Sequence, residues 1–115
     1  MFELEILENS KYLWVDLKGK LMTEKDSGEM FKKINDNLSK ARSIVVLNLL
    51  NLDYINSSGF NNLIKILTKS RNLGGDSVLC NLNSVIKRLL ITTKLNTIFN
   101  VQSQIENLDD FINKN

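Results

Sequence analysis

The pattern of apolar residues changes period in the middle of this chain, and that change constrains the fold more than any other feature. Residues 44–49 (Ile-Val-Val-Leu-Asn-Leu) form a nearly continuous apolar run, which is typical of a buried β-strand. From Phe60 onwards apolar residues recur at intervals of three and four, the spacing of one helix face. Segment 52–59 therefore joins a buried strand to an amphipathic helix, and it carries two adjacent hydroxyls, Ser57 and Ser58.

The remaining patterns predict an α/β fold. Phe2–Ile6 and Leu13–Leu17 alternate apolar with polar residues around a turn at Asn9-Ser10, which predicts a β-hairpin. The patterns then predict a helix capped by Thr23, the central strand from Ile44 and a helix from about Ser58 to Asn72 that is ended by Gly74-Gly75. After these they predict a strand over Ser77–Leu82, a helix capped by Asn83-Ser84, a strand over Thr97–Val101 and a helix capped by Ser103. The order ββαβαβαβα predicts one domain over residues 1–115, with a mixed, mostly parallel sheet of four to five strands and about four helices.

Composition argues against several classes of protein. The chain has 15 Lys and Arg against 13 Asp and Glu, a net charge of +2 that is too small and too scattered to indicate a nucleic-acid partner. No apolar run reaches transmembrane length and the N-terminus does not read as a signal peptide, so we expect no membrane insertion. The single cysteine, Cys80, excludes an internal disulfide and suits a reducing compartment, which predicts a cytoplasmic protein.

The absence of histidine argues against catalysis. Neither a Ser-His-Asp nor a Cys-His arrangement can form, and one cysteine without histidine argues against a zinc site. A nucleophile elbow is also missing, since Ile55 occupies the position of its first glycine. Cys80 lies in a predicted buried strand and is expected to be an inert core thiol. We therefore expect no catalytic residue, no metal and no cofactor.

The two adjacent serines have two interpretations on residue chemistry alone. A serine at a helix start can accept hydrogen bonds from free backbone N–H groups as a cap. A serine there is also exposed at the positive end of the helix dipole, where it can carry a phosphate. The position of Ser57 and Ser58 after a buried strand favours a functional role, because partners and ligands of parallel sheets gather at the carboxyl ends of the strands. Trp14 likewise has two interpretations, as cover for the second side of the hairpin or as part of an exposed contact patch.

Several ordered motifs resemble the STAS domain, the fold of bacterial anti-sigma-factor antagonists. Residues 45–63 (VVLNLLNLDYINSSGFNNL) resemble its signature of an apolar strand, a polar spacer and Ile/Met-Asp-Ser-Ser/Thr-Gly-Leu. Residues 19–21 look like the family's Gly-x-Leu before its first helix, and residues 72–76 like its helix-ending Gly-Gly. Residues 90–99 (LITTKLNTIF) resemble its Leu-x-x-Thr-x-Leu-x-x-x-Phe segment. The resemblance covers nearly the whole chain.

The resemblance implies regulation by partner switching. In that family the domain binds an anti-sigma factor that is itself a serine kinase, and so frees a sigma factor. The kinase phosphorylates the first serine of the pair, which maps onto Ser57, and a phosphatase resets the complex. Ser58 is then expected to be the structural cap. We expect the domain to be a monomer or weak dimer without enzymatic activity. The expected partner surface comprises Asn56, Ser57, Ser58, Gly59, Asn61 and Asn62, with Met22 and Thr23 beside it.

Three departures from the family pattern keep alternatives open. Asn56 stands where the family usually has an aspartate before the phosphorylated serine, although asparagine also occurs there. Asn48 and Met22 likewise occupy positions that often carry aspartate. Carboxylates hydrogen-bond more strongly than neutral groups, so their loss bears on recognition by a kinase. The main alternative is a STAS module that is never phosphorylated and serves as an adaptor or as a subunit of a larger assembly, such as a transporter. A third is a sensor of a small ligand or nucleotide at the same strand-end cleft.

Overall fold

The computed structural model describes all residues of the sequence, 1–115. Five strands and four helices follow one another in the order that the sequence predicts. The elements are β1 (Phe2–Asn9), β2 (Tyr12–Leu21), α1 (Glu24–Asp36), β3 (Ile44–Ile55), α2 (Ser57–Asn72), β4 (Asp76–Cys80), α3 (Ser84–Thr92), a short 3₁₀ turn (Leu95–Thr97), β5 (Asn100–Gln102) and α4 (Leu108–Lys114). No helix in the structure has the length and apolar character that crossing a bilayer requires.

The strands form one sheet in the order β1-β2-β3-β4-β5. β1 runs antiparallel to β2 as a hairpin, and every other neighbouring pair is parallel. The predicted α/β class, the mixed and mostly parallel sheet and the order ββαβαβαβα are therefore confirmed. Because each parallel step needs a crossover, helices are placed against the sheet and bury its two faces.

The two faces of the sheet are covered unequally. The first three helices pack on one face, where side chains such as Leu47, Leu63 and Leu90 belong to a core of 19 buried residues. On the other face α4 packs over a smaller cluster of seven buried residues that includes Trp14. Only 5% of Trp14 is exposed, so its interpretation as an exposed contact patch is wrong. The covering helix comes from the far end of the chain, which the hairpin pattern alone does not reveal.

The parallel pairing of β2 with β3 brings two loops together. Leu21, the last residue of β2, pairs with Ile55, the last residue of β3. The chain then enters α1 from one strand and α2 from the other, at the same edge of the sheet. The loop at Met22 and Thr23 consequently lies beside the Ser57 turn, as the sequence predicts.

Several predicted boundaries are wrong, while the predicted caps at Thr23 and Asn83 are confirmed. β4 is Asp76–Cys80 and not Ser77–Leu82, because the positive φ of Asn81, 61°, ends the extended strand. β3 continues to Ile55, because register shifts in its pairing with β2 hide the alternation of its second half. β5 is Asn100–Gln102, since the chain first forms a 3₁₀ turn and buries Phe99. α4 is capped by Asn107, not by Ser103, and the side chain of Asn107 accepts from the N–H of Asp110 at 2.8 Å.

Candidate functional site

The turn between β3 and α2 is capped by Asn56. Its backbone is extended, and its Oδ1 accepts a hydrogen bond from the N–H of Gly59 at 3.0 Å. This is the geometry of an N-cap residue, for which asparagine is as good as serine. The prediction that Ser58 caps α2 is wrong, because the helix begins one residue earlier, at Ser57.

Asn56 also joins this turn to the neighbouring loop. Its side-chain Nδ2 donates to the carbonyl oxygen of Met22 at 2.6 Å, and its backbone N–H donates to the carbonyl oxygen of Leu21 at 3.0 Å. The side-chain oxygen of Asn56 thus accepts a hydrogen bond from α2, and its side-chain nitrogen donates one to the β2–α1 loop. A carboxylate could replace only the acceptor, so the asparagine has a structural reason to be at this position.

Ser58 points inward, between the first two helices. Its Oγ lies 2.8 Å from the Oγ of Ser27 on α1, which is fully buried. Asn62 completes the contact by donating from Nδ2 to Ser27 Oγ at 3.1 Å and to the Ser58 carbonyl at 3.0 Å. Sequence reasoning missed Ser27, although its spacing from Met30 and Ile34 places it on the buried face of α1.

Ser57 has the opposite environment. It is exposed at the first position of α2, and its hydroxyl forms no hydrogen bond within the protein. The first N–H groups of a helix have no intrahelical acceptor. Asn56 caps the N–H of Gly59, which leaves donors near Ser57 free for another acceptor. The two serines, which residue chemistry alone left with the same two interpretations, are therefore distinct: Ser58 hydrogen-bonds within the fold and Ser57 is free at the surface.

Gly59 allows the start of α2 to rest directly on the ends of the strands. A Cβ at this position would lie 2.5 Å from Ile55 Cγ1 and 3.0 Å from Leu21 Cδ2. Gly59 is buried, so in this structure it serves to bring the helix close to the strand ends. Of the other residues expected at the partner surface, Asn61 and Thr23 are exposed, and Met22 is 50% exposed. Their contact with a partner stays a prediction.

Asn48 lies away from this turn, on the sheet face that α4 covers. Its Nδ2 donates to Asp16 Oδ1 at 2.7 Å, and its Oδ1 accepts from Asn81 Nδ2 at 2.9 Å. Cys80 is buried on the same face, and burial, with a smaller contribution from the charge of Asp16, raises the pKa of its thiol to about 12. The thiol is therefore protonated at neutral pH, which agrees with the expected inert core role.

Asn56→Asp should destabilise the protein by about 1 kcal/mol, because the cap survives but the hydrogen bond to the Met22 carbonyl is lost. Urea unfolding measures the stability, and amide hydrogen exchange of residues 21–23 reports the freed loop. Asn56→Ala, which removes both side-chain hydrogen bonds, should cost more. An Asn56→Asp variant as stable as the parent, with unchanged exchange, would contradict this role of the amide.

Comparison with known proteins places this geometry in a family. A family model of the STAS domain matches residues 3–108. The phosphorylated form of the Bacillus cell-fate determinant SpoIIAA superposes with a TM-score of 0.74 at 16% identity, covering 99% of this chain and 98% of that one. An anti-sigma factor antagonist of Mycobacterium paratuberculosis gives 0.79 at 15% identity, covering 99% and 93%.

A third similar structure comes from a different kind of protein. A sulfate transporter family protein from Wolinella succinogenes superposes with a TM-score of 0.70 at 12% identity, covering 87% of this chain and 80% of that one. At these identities the three superpositions establish a shared fold.

Proposed function

Because this chain belongs to the STAS domain family, we propose that it is a cytoplasmic anti-sigma-factor antagonist switched by phosphorylation of Ser57. In its unmodified form it binds an anti-sigma factor that is also a serine kinase, and so releases a sigma factor. Phosphorylation by that kinase dissociates the complex, and a phosphatase restores binding. The domain itself acts as a regulator of transcription through protein contacts, not as an enzyme.

The different environments of the two serine hydroxyls carry this proposal. Ser58 Oγ is 2.8 Å from buried Ser27 Oγ, where a phosphate would break the packing of α1 against α2. Ser57 Oγ is free and exposed on the first turn of α2, where a kinase can reach it. Of the two adjacent serines, Ser57 is the one that can carry a phosphate without disturbing the packing of α1 on α2, and it is also the serine that the family signature designates, which supports the proposal.

The physical chemistry of a phosphate at this position supports a switch of binding. A phosphoserine adds about −1.5 to −2 charges at pH 7. The helix dipole and the free N–H groups of the first turn favour such a charge, so the fold should tolerate it. A partner packed over Ser57 would instead have to desolvate the phosphate. That penalty is several kcal/mol, which corresponds to a change in affinity of about 10²-fold or more.

The proposed partner surface surrounds Ser57. It comprises the exposed Asn61 and Thr23, the half-exposed Met22, and the more deeply set Asn56, Ser58, Gly59 and Asn62 that hold the turn in place. Two hydrogen bonds from Asn56 fix the turn to the Met22 loop, so the surface is preorganised before a partner arrives.

Phosphate mapping tests the proposal. The protein is incubated with ATP and each serine kinase of the anti-sigma type from its host, and modified residues are located by mass spectrometry. We expect one phosphate on Ser57, retained in Ser58→Ala and lost in Ser57→Ala. A phosphate on Ser58, or none on Ser57 with any of these kinases together with unaltered partner binding by Ser57→Asp, would refute it.

The alternative is a STAS module that is never phosphorylated and acts as an adaptor or as a subunit of a transporter-type assembly. One observation favours it: a neutral amide, Asn56, holds the turn where the family usually has a carboxylate. The superposition with the Wolinella sulfate transporter family protein is compatible with it. A protein that stays unmodified in the kinase assay, yet binds a component of a transporter from its host, would support this alternative.

A further inference from the structure

One sheet face is only partly covered in the monomer. α4 has seven residues and is therefore about 10 Å long, whereas five strands spaced about 4.8 Å apart span roughly 19 Å. It covers the middle of the face around Trp14, Val46 and Val78. The side of the face formed by β1 and by the carboxyl-terminal ends of β2 and β3 stays open.

The open part of this face is an acidic groove. Two adjoining depressions of about 460 and 240 Å³ share Glu3 and Lys18 in their walls. Their charged side chains are four carboxylates and one ammonium, a side-chain charge of −3, and Leu50 stands beside them with 58% of its surface exposed. We call this surface the acidic groove; its charged residues are Glu3, Glu5, Asp16, Lys18 and Asp53. None of them is in an ion pair.

A basic surface lies on α3. The sequence contains no aspartate or glutamate between residues 77 and 105. Lys87, Arg88 and Lys94 are exposed and form no ion pair, and Ile91 is 54% exposed between them. These four residues constitute the basic α3 surface. Because no acidic side chain pairs with them, these basic groups give the surface a positive charge that an acidic partner can complement.

The two surfaces match each other but cannot meet within one molecule. The acidic groove is on the face of the sheet that carries α4, towards the β1 edge. The basic α3 surface is on the opposite face, because Ile86 and Leu90 of α3 belong to the core formed with α1 and α2. The side-chain charges sum to −3 on one surface and to +3 on the other, and each surface presents an exposed aliphatic side chain.

We propose that copies of this chain associate head to tail, the acidic groove of one molecule binding the basic α3 surface of the next. A second copy is the occupant that charge complementarity selects, since the chain itself supplies the matching surface. Such a heterologous contact leaves one free surface at each end, so it extends to a chain of molecules or closes into a ring. The two patches are small, so the contact should be transient and sensitive to salt.

The proposal is independent of the switch at Ser57, because neither surface includes residues 56–62. It also refines the expectation of a monomer or weak dimer. A contact that repeats head to tail predicts species beyond a dimer as concentration rises, whereas a closed symmetric dimer would stop at two copies.

Sedimentation across about a hundred-fold range of concentration at low salt tests the proposal. We expect the average mass to rise above 13.2 kDa with concentration and to fall back when salt is added. Two variants isolate the surfaces: Lys87→Glu with Arg88→Glu reverses α3, and Glu3→Lys with Glu5→Lys reverses the groove. Each variant alone should be monomeric, with association weakened at least about ten-fold by like charges.

Mixing the two variants is the decisive step. In the mixture the unchanged groove of the α3 variant can bind the unchanged α3 of the groove variant, and the two reversed surfaces also carry opposite charges, so association should return. Lys25→Glu with Lys33→Glu, the same charge change on α1, should leave association unchanged. If circular dichroism shows that β1 tolerates its changes poorly, Asp53→Lys lowers the side-chain charge of the groove from −3 to −1, and that variant alone should associate more weakly than the parent. A parent protein that stays monomeric throughout, association that persists in both reversed variants, or a mixture that stays monomeric would each overturn the proposal.

Discussion

Ser57→Asp should weaken binding to the proposed anti-sigma factor by about 10²-fold or more, while the melting temperature stays close to that of the parent protein. The aspartate places a charge on the exposed first turn of α2, where the helix dipole accommodates it within the fold. The same charge must be desolvated when a partner packs over the turn. Isothermal titration with each anti-sigma factor of the host measures the affinity, and far-ultraviolet circular dichroism follows the fold.

The chain provides a closely matched control for this substitution. Ser84 is the first residue of α3 and follows the cap Asn83, just as Ser57 follows the cap Asn56, and both serines are exposed. Ser84→Asp should therefore leave partner binding unchanged, and Ser57→Ala should bind like the parent. Parental affinity in Ser57→Asp would count against the switch. A large loss of stability in that variant would contradict the claim that the helix start accepts charge.

Gly75→Ala should cost about 3 kcal/mol or more of folding stability. A Cβ on Gly75 would lie 1.8 Å from the carbonyl oxygen of Ser43 and 2.3 Å from its carbonyl carbon. Both atoms are backbone at the entrance to β3, and the same Ser43 oxygen accepts from the N–H of Asp76 at 3.1 Å. The collision therefore cannot be relieved by a side-chain rotation, and the start of β4 must move away from β3.

Urea unfolding measures this effect, and Gly28→Ala is its control. Gly28 lies on the exposed side of α1 with no atom within 4 Å of the added Cβ. That substitution should stabilise the protein by about 0.5 to 1 kcal/mol, since alanine is the better helix former. If Gly75→Ala unfolded at the same urea concentration as the parent, the close approach of β4 to Ser43 would be wrong.

The sequence predicts the order of the elements well because their patterns are local. The alternation of Phe2–Ile6 and the helical spacing after Phe60 each identify an element without knowledge of its neighbours. Boundaries are less predictable, because they depend on pairing. β3 extends to Ile55 only because β2 continues beside it to Leu21, with register shifts that disturb the period of two. β5 is placed by its pairing with β4, not by the apolar residues before it.

The candidate site was predictable in position and less so in detail. Asn56, Ser57 and Ser58 are all good cap residues, so their roles depend on where β3 ends, which sequence alone does not fix. The burial of Ser58 depends on Ser27 of α1, a contact across 31 positions of sequence. The hydrogen bond to the Met22 carbonyl could not be predicted from the sequence, because every residue has a backbone carbonyl. Proximity of the two loops, in contrast, follows from parallel strand order.

The asparagine cap affects how strongly phosphorylation would change the charge of the proposed partner surface. None of the eight residues proposed for the partner surface is charged: Met22, Thr23, Asn56, Ser57, Ser58, Gly59, Asn61 and Asn62. With an aspartate at the cap, the resting surface would already be negative, and a phosphate would only increase that charge. Here a kinase would supply the first charge that this surface carries. The resting form would then present a neutral surface and the modified form an anionic one. A partner could distinguish the two forms by the presence or absence of charge at this surface.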